Sequence, residues 1–303
     1  MRVTTEPPAG EPEPIVAARR RSGLLAGAAA ACLAGFAATY FLFVWTRPGQ
    51  AFEFHVLQGI PALSDTPPVL RARAWLGYVT EYAMAAVVAV IVVIGLVRRR
   101  PALAIAGAVT VCATALLDRV LVRWVLTRPE LVPDPMNAEN SFPSGHVAMS
   151  ASALLGLLIV VPVAWRGCTA LLGSALVVGV AEMTMTVGWH RLSDTIGGNL
   201  LALGIACVAV AVPVRLGGVR TPPLRWPPLA RLVAIVPLLG YVAWTVVSAA
   251  GPAYDVLTNG AAADPPRTFE AAGAAATVVS ALTVVAFLGL LARAEPAPRT
   301  RTL

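Results

Sequence analysis

Apolar runs of about 20 residues, the length of helix that crosses a bilayer, recur from one end of this chain to the other. Short segments rich in Arg and Pro separate them, in place of the mixed polar surface of a globular domain. That pattern predicts an all-α fold, a polytopic membrane helical bundle, because only helices or closed barrels satisfy their backbone within lipid. Composition agrees, with 57% apolar residues and 13% charged. The runs cover residues 23–46, 74–97, 102–127, 143–164, 168–189, 195–214, 229–250 and 269–292, which makes eight predicted spans.

Between the spans, residues 1–22 are rich in Pro and Glu and end in Arg19-Arg20-Arg21, and they read as a disordered cytoplasmic tail. The run at 23–46 is too long for a signal-peptide core and reads as an uncleaved span. Residues 47–73, with Pro48, Gly49, Pro61, Pro67 and Pro68, suit an outer loop with a short interfacial helix. The core then runs over 74–214, followed by a basic connector and two C-terminal spans over 215–292 and a basic cytoplasmic tail over 293–303.

Charge fixes the orientation. Every cation is Arg, and the net charge is +7. With the N-terminus inside, eight spans place Arg19–Arg21, Arg98–Arg100, Arg166, Arg215–Arg231 and Arg293 on the cytoplasmic side. Glu53, Asp65, Glu130, Asp134, Glu139, Asp255, Asp264 and Glu270 then fall outside. This is the positive-inside pattern of a multi-pass plasma-membrane protein, and it accounts for the basic residues without nucleic acid. The four cysteines, Cys32, Cys112, Cys168 and Cys207, lie in or beside apolar runs without metal-site spacing and read as small buried hydrophobes. No metal and no cofactor is expected.

Two polar islands interrupt this background, and the orientation puts both at the outer face. The first runs from Arg128-Pro129 to Pro143-Ser144-Gly145-His146, where a span begins. The first turn of a helix carries unpaired N–H groups and the positive end of the helix dipole, which suit an anion. Ser144 can add a hydroxyl, Gly145 permits close backbone approach, and Arg128 offers a planar fork that fits phosphate. Taken alone, Ser-Gly can equally be a helix cap and His146 a solvated interface residue. The second island holds His190 and Asp194, about one turn apart, so that the carboxylate can fix the imidazole tautomer.

These islands resemble the motifs of the type 2 phosphatidic acid phosphatase (PAP2) family, which shares its site with vanadium haloperoxidases. Its Lys-x6-Arg-Pro motif corresponds to Leu121…Arg128-Pro129, Pro-Ser-Gly-His is complete at Pro143–His146, and Ser-Arg-x5-His-x3-Asp corresponds to Met183-Thr184…His190…Asp194. The resemblance implies a six-helix catalytic core, with His190 as nucleophile, Asp194 orienting it and His146 as acid and base. It implies that Arg128, Ser144 and Gly145 hold the phosphoryl oxygens, and that no metal takes part. Implied substrates are lipid phosphomonoesters or pyrophosphates, phosphatidate-type or polyprenyl. The Lys-free, Ala/Arg/Pro-heavy composition points by analogy to the bacterial branch.

Two family cations are missing, since Leu121 and Thr184 stand at their positions. Arg123 and Arg191 are the expected replacements. Arg119 and Glu182, at similar depth, are expected to pair, with Asp118 competing for Arg119. Glu81 and Tyr82 can line the entrance or bond neighbouring helices, the second being expected, and His55 should contact the membrane surface. The alternatives to a lipid phosphatase in the bilayer are a non-catalytic lipid-phosphate binder and a lipid phosphotransferase. Homo-oligomerisation is left open by the sequence.

Overall fold

A computed structural model describes residues 13–60, 66–133, 140–216 and 228–294. Eleven α-helices make up the described chain, with no strand among the described residues. They are α1 (Glu13–Thr39), α2 (Arg47–Gln58), α3 (Pro67–Leu76), α4 (Glu81–Val97), α5 (Pro101–Val120), α6 (Gly145–Val160), α7 (Val163–Thr186), α8 (Leu192–Arg215), α9 (Pro228–Ser248), α10 (Ala250–Asn259) and α11 (Pro265–Ala294). Five stretches, built on α1, α5, α7, α8 and α11, are long and apolar enough to cross a membrane. Two bent pairs, α3–α4 and α9–α10, bring the number to seven, and α6 is a shorter apolar helix. Each of the eight predicted runs is therefore helical.

The 16 residues of α6 span about 24 Å, short of a hydrocarbon core of about 30 Å. The helix can be short because it sits in the middle. It packs on α5, α7 and α8, and most of its residues are buried. Leu154, Leu155, Leu158 and Ile159 join residues of α1, α5, α8 and α11 in the largest apolar core. Around this centre α1 lies along α8, and α11 fits against α7 and α8.

Two expectations are corrected. The stretch from Glu13 to Ser22 is the first part of α1 rather than tail. Ala and Arg favour helix, and Pro14 falls in the first turn, where proline is tolerated. Within residues 47–73 the described stretches belong to two helices, α2 and the start of α3, where a loop with a short interfacial helix was expected. Thr46 caps α2 by accepting from the Gly49 N–H at 3.1 Å, Pro48 lies in the first turn, and Pro67 starts α3. These prolines begin helices instead of breaking them. Residues 1–12, the connector at 217–227 and the tail from 295 lie outside the described residues.

Candidate active site

The two polar islands meet at one end of the bundle. Ser144 caps α6, its hydroxyl accepting from the Val147 N–H at 3.4 Å, and so faces the first turn as a cap does. Its own N–H donates to the Asp194 carbonyl at 2.9 Å, joining the start of α6 to the start of α8. The contact needs a glycine on α8. A Cβ on Gly198 would lie 2.8 Å from the Ser144 carbonyl oxygen and 3.1 Å from the Ala148 nitrogen. Phe142, fully buried with its ring tilted against those of Phe36 and Tyr40, pins the approach to this turn.

His146 and His190 face one another with ring centroids 6.1 Å apart, and Trp189 flanks His146 at 5.6 Å. Behind His190, Asp194 is fully buried at the third position of α8. One oxygen, Oδ2, accepts from the Arg191 N–H at 2.9 Å and the Ser141 hydroxyl at 2.7 Å, and lies 3.3 Å from His190 Nδ1. A carboxylate held by two other donors cannot rotate away, so it keeps the proton on Nδ1 and leaves the Nε2 lone pair facing outward.

Two arginines close the site. Arg191, 2% exposed, donates from Nη1 to the Ser141 hydroxyl at 3.1 Å. Arg128 turns both terminal nitrogens to Glu53 Oε2 at 3.4 Å. Burial holds the Arg128 guanidinium below its ordinary pKa, with neighbouring Arg191 adding to the effect and Glu53 opposing it. Of the two expected replacement cations, Arg191 is thus inside the cluster. Arg123 is exposed on the π-helical turn Leu121–Val125 and makes no hydrogen bond or ion pair with these residues. The family's two cation positions are put to other uses. Leu121 packs beside Phe36 and Phe142, and Thr184 is buried with its hydroxyl on the Ala181 carbonyl.

Gly145 leaves room for a carboxylate, since a Cβ there would lie 2.8 Å from Asp118 Oδ2. Asp118, Ser141 and Glu53 were not among the expected site residues. Only Ser141, next to the Pro-Ser-Gly-His turn, carried a local signal. From His146 a cleft of about 1010 Å³ runs between α4 and α5, past Asp118, Arg119, Glu81 and Tyr82.

The expected Arg119–Glu182 pair does not form. Arg119 pairs with Glu81 across α5 and α4. Glu182 instead accepts hydrogen bonds from the hydroxyls of Thr277 at 2.7 Å and Tyr241 at 3.3 Å. Similar depth did not put the two on facing sides, because α7 turns Glu182 toward α9 and α11. Glu81 thus bonds a neighbouring helix, as expected, and Tyr82 lines the cleft. His55 uses Nε2 to bond the Ala263 carbonyl at 2.8 Å, tying α2 to the segment before α11. Among the described residues, no group of three or more His, Cys, Asp and Glu side chains converges as a metal site.

Paired imidazoles beside buried guanidiniums at adjoining helix starts are an arrangement suited to phosphoryl chemistry. Residues 102–217 match the family model of the PAP2 superfamily. The match takes in α5 to α8 with Arg128, both histidines and Asp194, and leaves α1 to α4 and α9 to α11 outside. No curated protein and no solved structure matches the chain.

Proposed function

We propose that the protein is an integral-membrane lipid phosphatase that works through a phosphohistidine, with its site at the extracytoplasmic face. The observation that carries this reading is the arrangement of His190, braced by Asp194, opposite His146 at the mouth of a cleft between two membrane helices. His190 Nε2 attacks phosphorus, and the P–O bond to the lipid alkoxide breaks as His146, entering as the imidazolium, delivers its proton to that oxygen. Water then attacks the phosphohistidine while the now neutral His146 takes its proton, releasing inorganic phosphate and restoring the His190 imidazole and the His146 imidazolium. Charge spread over the phosphoryl oxygens is met by Arg128, Arg191, Ser144 and the N-terminus of α6.

The cleft supports a lipid as substrate. Its walls beyond His146 are mostly apolar, including Met84, Val88, Val111 and Leu116, so a chain can lie there with its phosphate at the histidines. Phosphatidate-type and polyprenyl phosphates or pyrophosphates both fit that description.

The test is phosphate release by the purified protein from a panel of these lipids, alongside His190→Ala. Hydrolysis of at least one lipid, abolished in the variant, is expected. The apolar and hydroxyl residues at Leu121 and Thr184 favour a second reading, a non-catalytic lipid-phosphate binder. That reading predicts binding by wild type and variant alike with no phosphate released. Transfer of the phosphoryl group to an added alcohol would instead mark a phosphotransferase.

A further inference from the structure

Helix α2 lies outside the matched segment, yet two of its buried side chains reach into the site. Gln50 is 3% exposed and Glu53 is 1% exposed, and they are three residues apart on one helical face. Gln50 grips the backbone of the loop that carries Arg128. Its Nε2 donates to the Pro129 carbonyl at 2.6 Å, and its Oε1 accepts from the Leu131 and Val132 N–H groups at 3.1 and 3.2 Å. Glu53 takes the side chain. Its Oε2 lies 3.4 Å from both terminal nitrogens of Arg128 and 3.9 Å from Arg191 Nε, while Oε1 accepts from the Ser193 N–H at 3.2 Å. One carboxylate thus bridges two guanidiniums and the first turn of α8, just after His190.

We propose that Glu53 is a positioning residue of the phosphate site, holding Arg128 and Arg191 side by side while its negative charge limits how tightly the phosphate product is kept. The proposal rests on the phosphatase reading for its catalytic half. Two like-charged guanidiniums in one buried site repel, and neither family cation position helps to anchor them. A carboxylate between them keeps both in place before substrate arrives. The same carboxylate stands beside an incoming phosphate and weakens its hold, which speeds release.

The charged groups facing Glu53 are Arg128 from the loop and Arg191 and Asp194 from the start of α8. From α11, the apolar side chains of Phe269, Ala272 and Ala276 cluster with Phe52 and Val56 of α2. Within α2 itself, Arg47 and His55 bond the carbonyls of Leu131 and Ala263.

Two variants separate position from charge. Glu53→Gln keeps the shape and removes the charge, whereas Glu53→Asp keeps the charge and withdraws it by one methylene. We expect kcat to fall tenfold or more in both. Direct titration with inorganic phosphate should show binding at least threefold tighter in Glu53→Gln and unchanged in Glu53→Asp. Wild-type kcat in a folded variant, or phosphate binding that Glu53→Gln leaves unchanged or weakens, overturns the proposal. If Glu53→Gln does not fold, Glu53→Asp decides, since wild-type kcat in that variant is incompatible with positioning. If the wild type releases phosphate from no lipid, the phosphatase reading fails, and the phosphate titration still tests Glu53.

Discussion

Replacing Asp194 by asparagine changes one atom's chemistry at the centre of the site. Asp194 Oδ2 serves His190 Nδ1, the Arg191 N–H and the Ser141 hydroxyl together. An asparagine that places its oxygen where Oδ2 stood keeps all three contacts, with its amide in the place of Oδ1, so the shape of the site is preserved and the charge is removed. The imidazolium that forms during attack then loses its counter-charge. A pair of unit charges about 4 Å apart at an effective dielectric of about 20 is worth about 4 kcal/mol. At about 1.4 kcal/mol per decade, that is about a thousandfold in rate. The assay is the initial rate of phosphate release from a short-chain lipid phosphate at saturating concentration, with His190→Ala as the floor. A thermal unfolding curve confirms that the variant is folded. A folded Asp194→Asn protein keeping more than about a third of the wild-type rate would refute the argument, because no charge effect of this size could then be present.

Three further outcomes are expected. Gly198→Ala drives a Cβ into the Ser144 carbonyl; overpacking of this kind costs about 1–3 kcal/mol, seen as a lowered Tm together with lost activity. Glu81→Ala breaks the pair with Arg119 at the rim of the cleft, both partners being largely exposed. It should change KM for long-chain lipid phosphates and leave a short soluble phosphate ester unaffected. Burial, with Asp194 adding to it, pushes the Glu53 carboxyl up to about 7 against the opposing pull of Ser193, Arg191 and Arg128. Below that pH Glu53 gains a proton and becomes neutral, as Gln is. Wild type and Glu53→Gln should therefore bind inorganic phosphate alike near pH 6, and diverge as pH rises through 7.

The helices that cross the membrane were legible because lipid demands long apolar runs whatever the tertiary context. His146, His190 and Asp194 were legible because helix starts and one-turn spacing leave local marks in sequence. The Arg119–Glu182 pairing failed for a physical reason. Counting residues along a helix gives depth, while the facing side is set by packing, and packing turned Glu182 to Thr277 and Tyr241. Helices α2 and α3 were missed because their prolines were read as breakers, although each sits in a first turn where its absent N–H costs nothing. Glu53 looked like one acid among several in an outer loop. Its role depends on contacts 75 and 140 residues away, to Arg128 and Ser193, which no local pattern encodes.

The backbone bond from Ser144 to the Asp194 carbonyl has a mechanical consequence. It ties the mounts of the two histidines to each other, the start of α6 to the start of α8. On the proposed function, a lipid tail lodging in the cleft between α4 and α5 meets walls that this bond does not join, so the tail and the spacing of the histidines are governed by different contacts.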